Sequence, residues 1–199
     1  MSAEMRAQSR AALIEAARKL FAERGYFNCK VSDIAREAGM SQGNVYWYFS
    51  SKEELLKAVL ADGFDTLGDA MAQAAASSGS CIHKLDNLID GVLDFARERG
   101  DFNTIMLSIM GHGGETLFAQ LGFDMPQIGS GYSQSVASIV SKGQREGIIE
   151  KDVDPGTLTM LFFALFNGLN LTYGQEWLNM PKETIRDATL RLIGVQEIE

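Results

Sequence analysis

A chain of 199 residues is the size of one compact domain, or of a small module joined to a larger one. With 46 % hydrophobic and 22 % charged residues it has the composition of a water-soluble globular protein. Cys29 and Cys81 are too few for a disulfide framework and fit a reducing cytoplasm, and no basic start followed by an apolar stretch and cleavage site marks a secretion signal.

The net charge of −8 argues against nucleic acid until its distribution is read. Residues 1–60 hold nine Lys/Arg and seven Asp/Glu, whereas residues 61–199 hold nine Lys/Arg and nineteen Asp/Glu. A mildly positive head on an acidic body steers one end toward phosphate.

The periodicity is helical almost throughout, so the expected class is all-α with about nine helices. Leu13, Ala17, Leu20 and Phe21 form a first apolar stripe, closed by Gly25. Val31, Ile34, Ala35 and Ala38 form a second, closed by Gly39; Ser41 opens a third short helix. Ser51 and Glu54 stand at capping-box spacing and open a fourth, carried on by Leu55, Leu56, Val59 and Leu60. The small-residue stretch "AAASSGSC" breaks the pattern before a long helix with Leu85, Leu88, Val92 and Leu93. "DFNTIMLSIM" is a further helix, halted by "GHGG"; Pro126 begins the next, and "REGIIEKDVDP" reads as a turn and short extended link. Asp154-Pro155 starts an almost wholly apolar helix, and Pro181 begins the last. The apolar helix is near the length of a membrane span, but Asn167, Gly168 and Asn170 interrupt it, and it reads instead as buried on all sides, partly against a second subunit.

"VSDIAREAGMSQGNVYWYF" places two short helices across a turn containing glycine, the pattern of a helix-turn-helix. Its second helix carries four consecutive rings, Tyr46, Trp47, Tyr48 and Phe49, which cannot all face one core. Turning about 100° per residue puts Val45, Phe49 and Ser41 on the inner face and Tyr48 at its edge. Gly43, Asn44 and Trp47 then point away, with Tyr46 on the flank. Gln42 and Asn44 carry the paired donor and acceptor that read adenine, Gly43 lets backbone approach, and Tyr46, Tyr48 and Lys52 suit phosphates. The competing reading, a crowded corner of helical core, leaves the glycine turn unexplained.

"AALIEAARKLFAERGY" followed by "VSDIAREAGMSQGNVYWYFSSKEELL" resembles the tetracycline-repressor (TetR) family of bacterial transcription regulators. The resemblance covers the first third of the chain. It implies a three-helix DNA-binding head (residues 1–50) on a helical effector-binding and dimerisation body (residues 51–199). It also implies a homodimer that binds double-stranded operator DNA and releases it when a small apolar or aromatic molecule enters the body. Gln42, Gly43, Asn44, Trp47 and Tyr48 map to the recognition helix, with Ser41 as its cap; Tyr46, Tyr48 and Lys52 map to phosphate contacts. Where the family usually has a Thr pair before the second helix this chain has Cys29 and Lys30. Lys30 replaces the phosphate contact by charge but cannot cap, which leaves that helix start loose or capped from Asn28; Ser32 sits where a base or backbone contact often lies.

In the body the apolar helix, through Leu158, Phe162, Leu165 and Leu169, pairs with Ile185 and Leu192 of the last helix as half of a two-fold four-helix bundle. A palindromic operator follows from that symmetry. Candidate pocket residues are Phe95, Phe102, Met106, Met110, Phe118 and Phe123, then Tyr132, Phe166, Asn167 and Tyr173 further on; each is also a plausible core residue. Asn103, His112 and Asn170 are further polar candidates, and "GHGG" lies where the family often places a mobile gate. No catalytic constellation, cofactor motif or set of three or four metal ligands is visible. Two rival functions remain: a DNA-binding regulator without a small effector, whose body binds another protein, and a helical enzyme or binding module with an incidental helix-turn-helix.

Overall fold

The computed structural model describes residues 2–196. Ten α-helices and one 3-10 turn account for the regular structure among them, with no strand beyond a single bridge. The helices are α1 (Ala3–Arg24), α2 (Val31–Glu37), α3 (Gln42–Tyr48), α4 (Lys52–Ala76) and α5 (Cys81–Glu98), then α6 (Gly100–Met110), α7 (Gly114–Gln120), α8 (Met125–Glu146), α9 (Pro155–Tyr173) and α10 (Lys182–Leu192). The 3-10 turn, Glu176–Asn179, is not foreshadowed by the periodicity. No described helix is long and apolar enough to cross a membrane.

The chain divides into two compact units, the first comprising residues 1–64 and 101–124, the second residues 65–100 and 125–199. The division falls inside α4, so the first unit is larger than a head of residues 1–50 and takes in most of α6 and all of α7.

In the first unit the stripe on α1 is buried at Leu13, Ala17, Leu20 and Phe21, as are Ile34 and Ala35 of α2 and Leu55, Leu56, Val59 and Leu60 of α4. Gly25 ends α1 at φ 77°, a conformation that L side chains rarely adopt. The start of α4 is a capping arrangement spread over two serines. Ser51 Oγ accepts the Glu54 N–H at 3.2 Å, while the Glu54 carboxylate reaches back to the N–H and hydroxyl of Ser50, one residue beyond the usual reciprocal partner. Gly63 brings α4 against Phe102 of α6, whose ring meets Phe64 edge-on at 5.2 Å.

The second unit packs α5, α8, α9 and α10 around Leu85, Leu88, Val92, Ile139, Phe162 and Leu190. Lys84 is buried among them, and its ammonium donates to the carbonyls of Ala75 and Ser77 at the carboxyl end of α4, where a cation offsets the helix dipole. Asp154 caps α9 by accepting the Thr157 N–H at 3.0 Å, with Pro155 in the first turn. The expected extended link is real but brief: Ile149 pairs antiparallel with Val195, and the Glu150 N–H donates to the Gly194 carbonyl at 3.0 Å.

Candidate nucleic-acid interface

The turn between α2 and α3 is made by a glycine that leaves the helical conformation. Gly39 has φ 66°, the Met40 N–H donates to the Ala35 carbonyl at 2.8 Å, and the Gly39 N–H donates to that of Arg36 at 3.1 Å. These bonds satisfy the last carbonyls of α2 and turn the chain at once. Ser41 then caps α3 by accepting the Asn44 N–H at 3.2 Å. Ser41 itself is exposed, although helical phase places it inward, because a cap residue has extended rather than helical backbone (φ −75°, ψ 151°).

The rings sort as the helical phase requires. Val45 and Phe49 are 1 % and 2 % exposed; Tyr46 and Trp47 are 49 % and 58 % exposed, and Tyr48 is half-buried with its ring edge-on to Trp47 at 4.7 Å. Phe49 turns inward from beyond the helix end, at φ −136°. Gln42, Gly43 and Asn44 are also exposed. A side chain added at Gly43 would meet only Ser41 Oγ, at 3.9 Å, so its surface is open to a close partner. The outward face of α3 is therefore one continuous patch of amide, glycine and aromatic groups.

Around it the other candidates differ. Lys30 is exposed at the start of α2, where no side chain caps, and Ser32 is half-buried in the first turn. Asn28 does not supply that cap; its amide donates to the Arg24 carbonyl and closes α1 instead. Lys52 is half-buried, its ammonium 4.4 Å from the centroid of the Tyr26 ring. Burial pulls its pKa below the ordinary lysine value, against the pull of neighbouring Cys29 and Glu53. The Tyr26 hydroxyl donates to Glu53.

Sequence reasoning missed two side chains that lie over rings of this segment, the first of them on the patch itself. Arg6 of α1 stands over the Trp47 ring at 5.3 Å, and Arg10 over the Phe49 ring at 5.2 Å. The signal for them was present: two arginines four residues apart continue the Leu13/Ala17 stripe toward the chain start.

The candidate effector residues fall in both units. In the first, Phe102 and Phe118 are buried, Met106 and Phe123 half-buried and Met110 exposed; Phe123 meets Phe64 at 5.2 Å. In the second, Phe95 and Phe166 are buried and Tyr132 half-buried, whereas Asn167 and Tyr173 are exposed. Asn170 is committed internally, accepting from the Trp177 indole and donating to the Phe166 carbonyl. His112 is likewise engaged: Nδ1 lies 2.8 Å from the Ser108 carbonyl, and the ring rests on Phe27.

Of the candidate dimer residues, Leu158, Phe162 and Ile185 are buried in the core of their own unit, Leu165 and Leu169 are half-buried, and Leu192 is exposed. The apolar face that α9 leaves exposed is a different one: Met160 at 63 %, Leu161 at 36 % and Leu171 at 68 %, with Ala164 and Gly168 between them. A helix apolar all round does not disclose from its pattern which face the monomer core takes.

Residues 13–59 match the family model for bacterial regulatory proteins of the tetR family. The probable transcriptional regulator ArpR of Pseudomonas putida is 28 % identical over 189 residues, covering 87 % of this chain and 82 % of the relative. The regulator TtgR, also of Pseudomonas putida, is 37 % identical over 83 residues, which cover 39 % of each chain. The same fold occurs in a tetR-family regulatory protein from Rhodococcus RHA1, with a TM-score of 0.76 at 18 % identity over 99 % of this chain and 100 % of that one. These relatives are regulators rather than enzymes. With its glycine turn, its capped second helix and the open outer face of that helix, the chain is a DNA-binding transcriptional regulator of the tetR family.

Proposed function

We propose that the protein is a homodimeric repressor whose α3 reads a palindromic operator and lets go when a small apolar or aromatic molecule binds its body. In this reading residues 1–50 hold the DNA and residues 51–199 hold the effector and the second subunit. The observation that carries it is the division of α3 into a buried Val45 and an exposed face of Gln42, Gly43, Asn44, Tyr46 and Trp47. Gln42 and Asn44 read base edges, Gly43 admits close approach, and Ser41, Tyr46 and Tyr48 take phosphates. Lys30 and Ser32 hold the backbone at the start of α2. Lys52 joins them only by leaving the Tyr26 ring.

The second subunit packs on the exposed face of α9, with Leu192 of α10 as a further exposed apolar residue, where an apolar strip of this kind is costly in water. The effector takes its place among the body's phenylalanine, methionine and tyrosine side chains, which offer a large, adaptable apolar wall. It acts by favouring a body conformation in which the heads no longer fit adjacent grooves.

Selection of bound sequences from random duplex DNA tests the reading. The expected product is a two-fold symmetric consensus with half-site centres about 34–36 Å apart. Gln42→Ala should relax preference at one base-pair position per half-site, and Tyr48→Ala should weaken all sequences alike. No enrichment, or an enriched site without symmetry, would overturn the dimeric operator reading.

A further inference from the structure

We propose that Arg6 and Arg10 are phosphate contacts that carry the DNA-binding face from α3 onto α1. This rests on the reading of α3 as the base-reading helix. Arg6, Arg10, Leu13 and Ala17 follow one another at helical spacing on a single face of α1. Leu13 and Ala17 are fully buried, while Arg6 and Arg10 are exposed, so the stripe leaves the core at Arg10, over the inward Phe49 ring, and reaches the outward Trp47 ring at Arg6.

Nothing local favours arginine at either place. Both lie in the amino-terminal half of a 22-residue helix capped by Ser2, away from the carboxyl end where the helix dipole favours cations. Each also repels the other at four-residue spacing. Neither guanidinium makes a close ion pair or donates a hydrogen bond among the described residues, although Arg10 is near enough to Glu54 to be felt by it. They rest on ring faces, which leave the N–H groups free to grip an anion in the guanidinium plane.

The rest of the first unit's charge makes the choice sharper. Arg18 is paired with Glu15 and Asp101, Lys19 with Glu37, and Arg24 and Arg36 with Asp33. The surplus positive charge of the head is therefore concentrated at the cations that lack such partners; of these, Arg6 lies over Trp47 on the α3 face and Arg10 lies one turn further along α1, over Phe49. Glu54 feels Arg10, but its carboxylate is held first by the Ser50 hydroxyl and N–H. A polyanion lying along Gln42, Asn44 and Trp47 meets Arg6 first and, if it extends along α1 as a duplex backbone does, Arg10 one turn further on, which is why duplex DNA is favoured over an acidic protein.

The test measures binding of the full-length protein to two duplexes of equal length, one carrying the selected consensus and one of random sequence, across roughly the 50–200 mM range of NaCl in which phosphate-driven binding falls steeply. Arg6→Ala/Arg10→Ala should weaken binding to both duplexes about tenfold at the lower salt, with the preference between them unchanged. The slope of log K against log salt should shrink by about 0.9 for each phosphate no longer neutralised. Arg6→Lys/Arg10→Lys should restore most of that slope, and the single Gln variants serve if the double Ala variant misfolds. A merely structural role would shift the urea midpoint and leave the slope alone. Wild-type protein that binds neither duplex overturns the α3 reading together with this one; wild-type binding with an unchanged slope in the folded variant overturns this one alone.

Discussion

Nη1 of Arg18 on α1 donates to both carboxylate oxygens of Asp101 on α6, at 2.5 and 2.6 Å, joining residues 83 apart in sequence. Both partners are shielded, with side chains 13 % and 25 % exposed, and Asp101 lies in the first turn of α6, where the helix dipole also favours an acid. Burial opposes the charge on Arg18, but the hydrogen bonds from Arg18 to Glu15 and Asp101 outweigh it, and its pKa is raised. Asp101→Asn keeps the shape and removes the charge of the more shielded of the two acids paired with Arg18. The expected cost is about 1–2 kcal/mol. It should appear as a lower urea midpoint with an unchanged m value; an unaltered midpoint would show that the Asp101 charge contributes nothing.

Gly63 of α4 lies directly against the Phe102 ring of α6. A Cβ there would stand 2.2 Å from Cδ2 of Phe102, a buried ring already held edge-on by Phe64. Gly63→Ala gains helix propensity, yet the clash should win, with a net loss of about 1–3 kcal/mol. Adding Phe102→Leu tests the cause: the double variant should be more stable than the sum of the two single losses requires, since the smaller side chain makes room for the methyl. Strict additivity would place the strain elsewhere.

The head is legible in the sequence because its signals are local. Gly39 and Ser41 announce a turn and a cap within three residues, and a seven-residue helix has one inner face, so Val45 in and Trp47 out follows from phase alone. Gly63 and Phe102 carry no such signal, since their contact depends on how α4 and α6 meet. The same is true of Arg18 and Asp101. On α9 the pattern is apolar on every side, so Leu158 and Phe162 are as good candidates for an outer face as Met160 and Leu171, and only packing against α5, α8 and α10 decides between them. The 3-10 turn escapes a sequence reading because Trp177, the residue that fixes it, is held by a hydrogen bond to Asn170 seven residues earlier rather than by any turn motif.

Glu54 gives the head a defined response to acid. The Ser50 hydroxyl, then the Ser50 N–H, hold its carboxylate below the usual glutamate range. A carboxylate depressed in the folded state stabilises only where the unfolded chain's carboxylate is ionised, above about pH 4.3. That contribution is lost as pH falls through the lower, folded value. Glu54→Gln should therefore be less stable than wild type at about pH 7, with the difference closing below about pH 4. Urea midpoints measured from about pH 7 down to about pH 3 check this; a difference that stays constant across the range would mean that charge at Glu54 contributes nothing.

The proposed dimer makes the most demanding claim about α9. Met160 and Leu171 lie on its exposed face, separated from the inward Leu158, Phe162 and Phe166, so replacing them by glutamate leaves the monomer core untouched. Two carboxylates introduced into an apolar contact must be desolvated without partners, and two-fold symmetry doubles the penalty. Met160→Glu/Leu171→Glu should therefore sediment as a monomer at concentrations where wild type is dimeric, with helical content by circular dichroism unchanged. DNA affinity should fall with it, because each head is then without its tethered partner and without the effective concentration that tethering supplies. By contrast Leu158→Glu, buried within the unit, should unfold the protein rather than dissociate it. If Met160→Glu/Leu171→Glu stays dimeric and folded, the second subunit sits on another surface and the exposed strip of α9 has a different occupant.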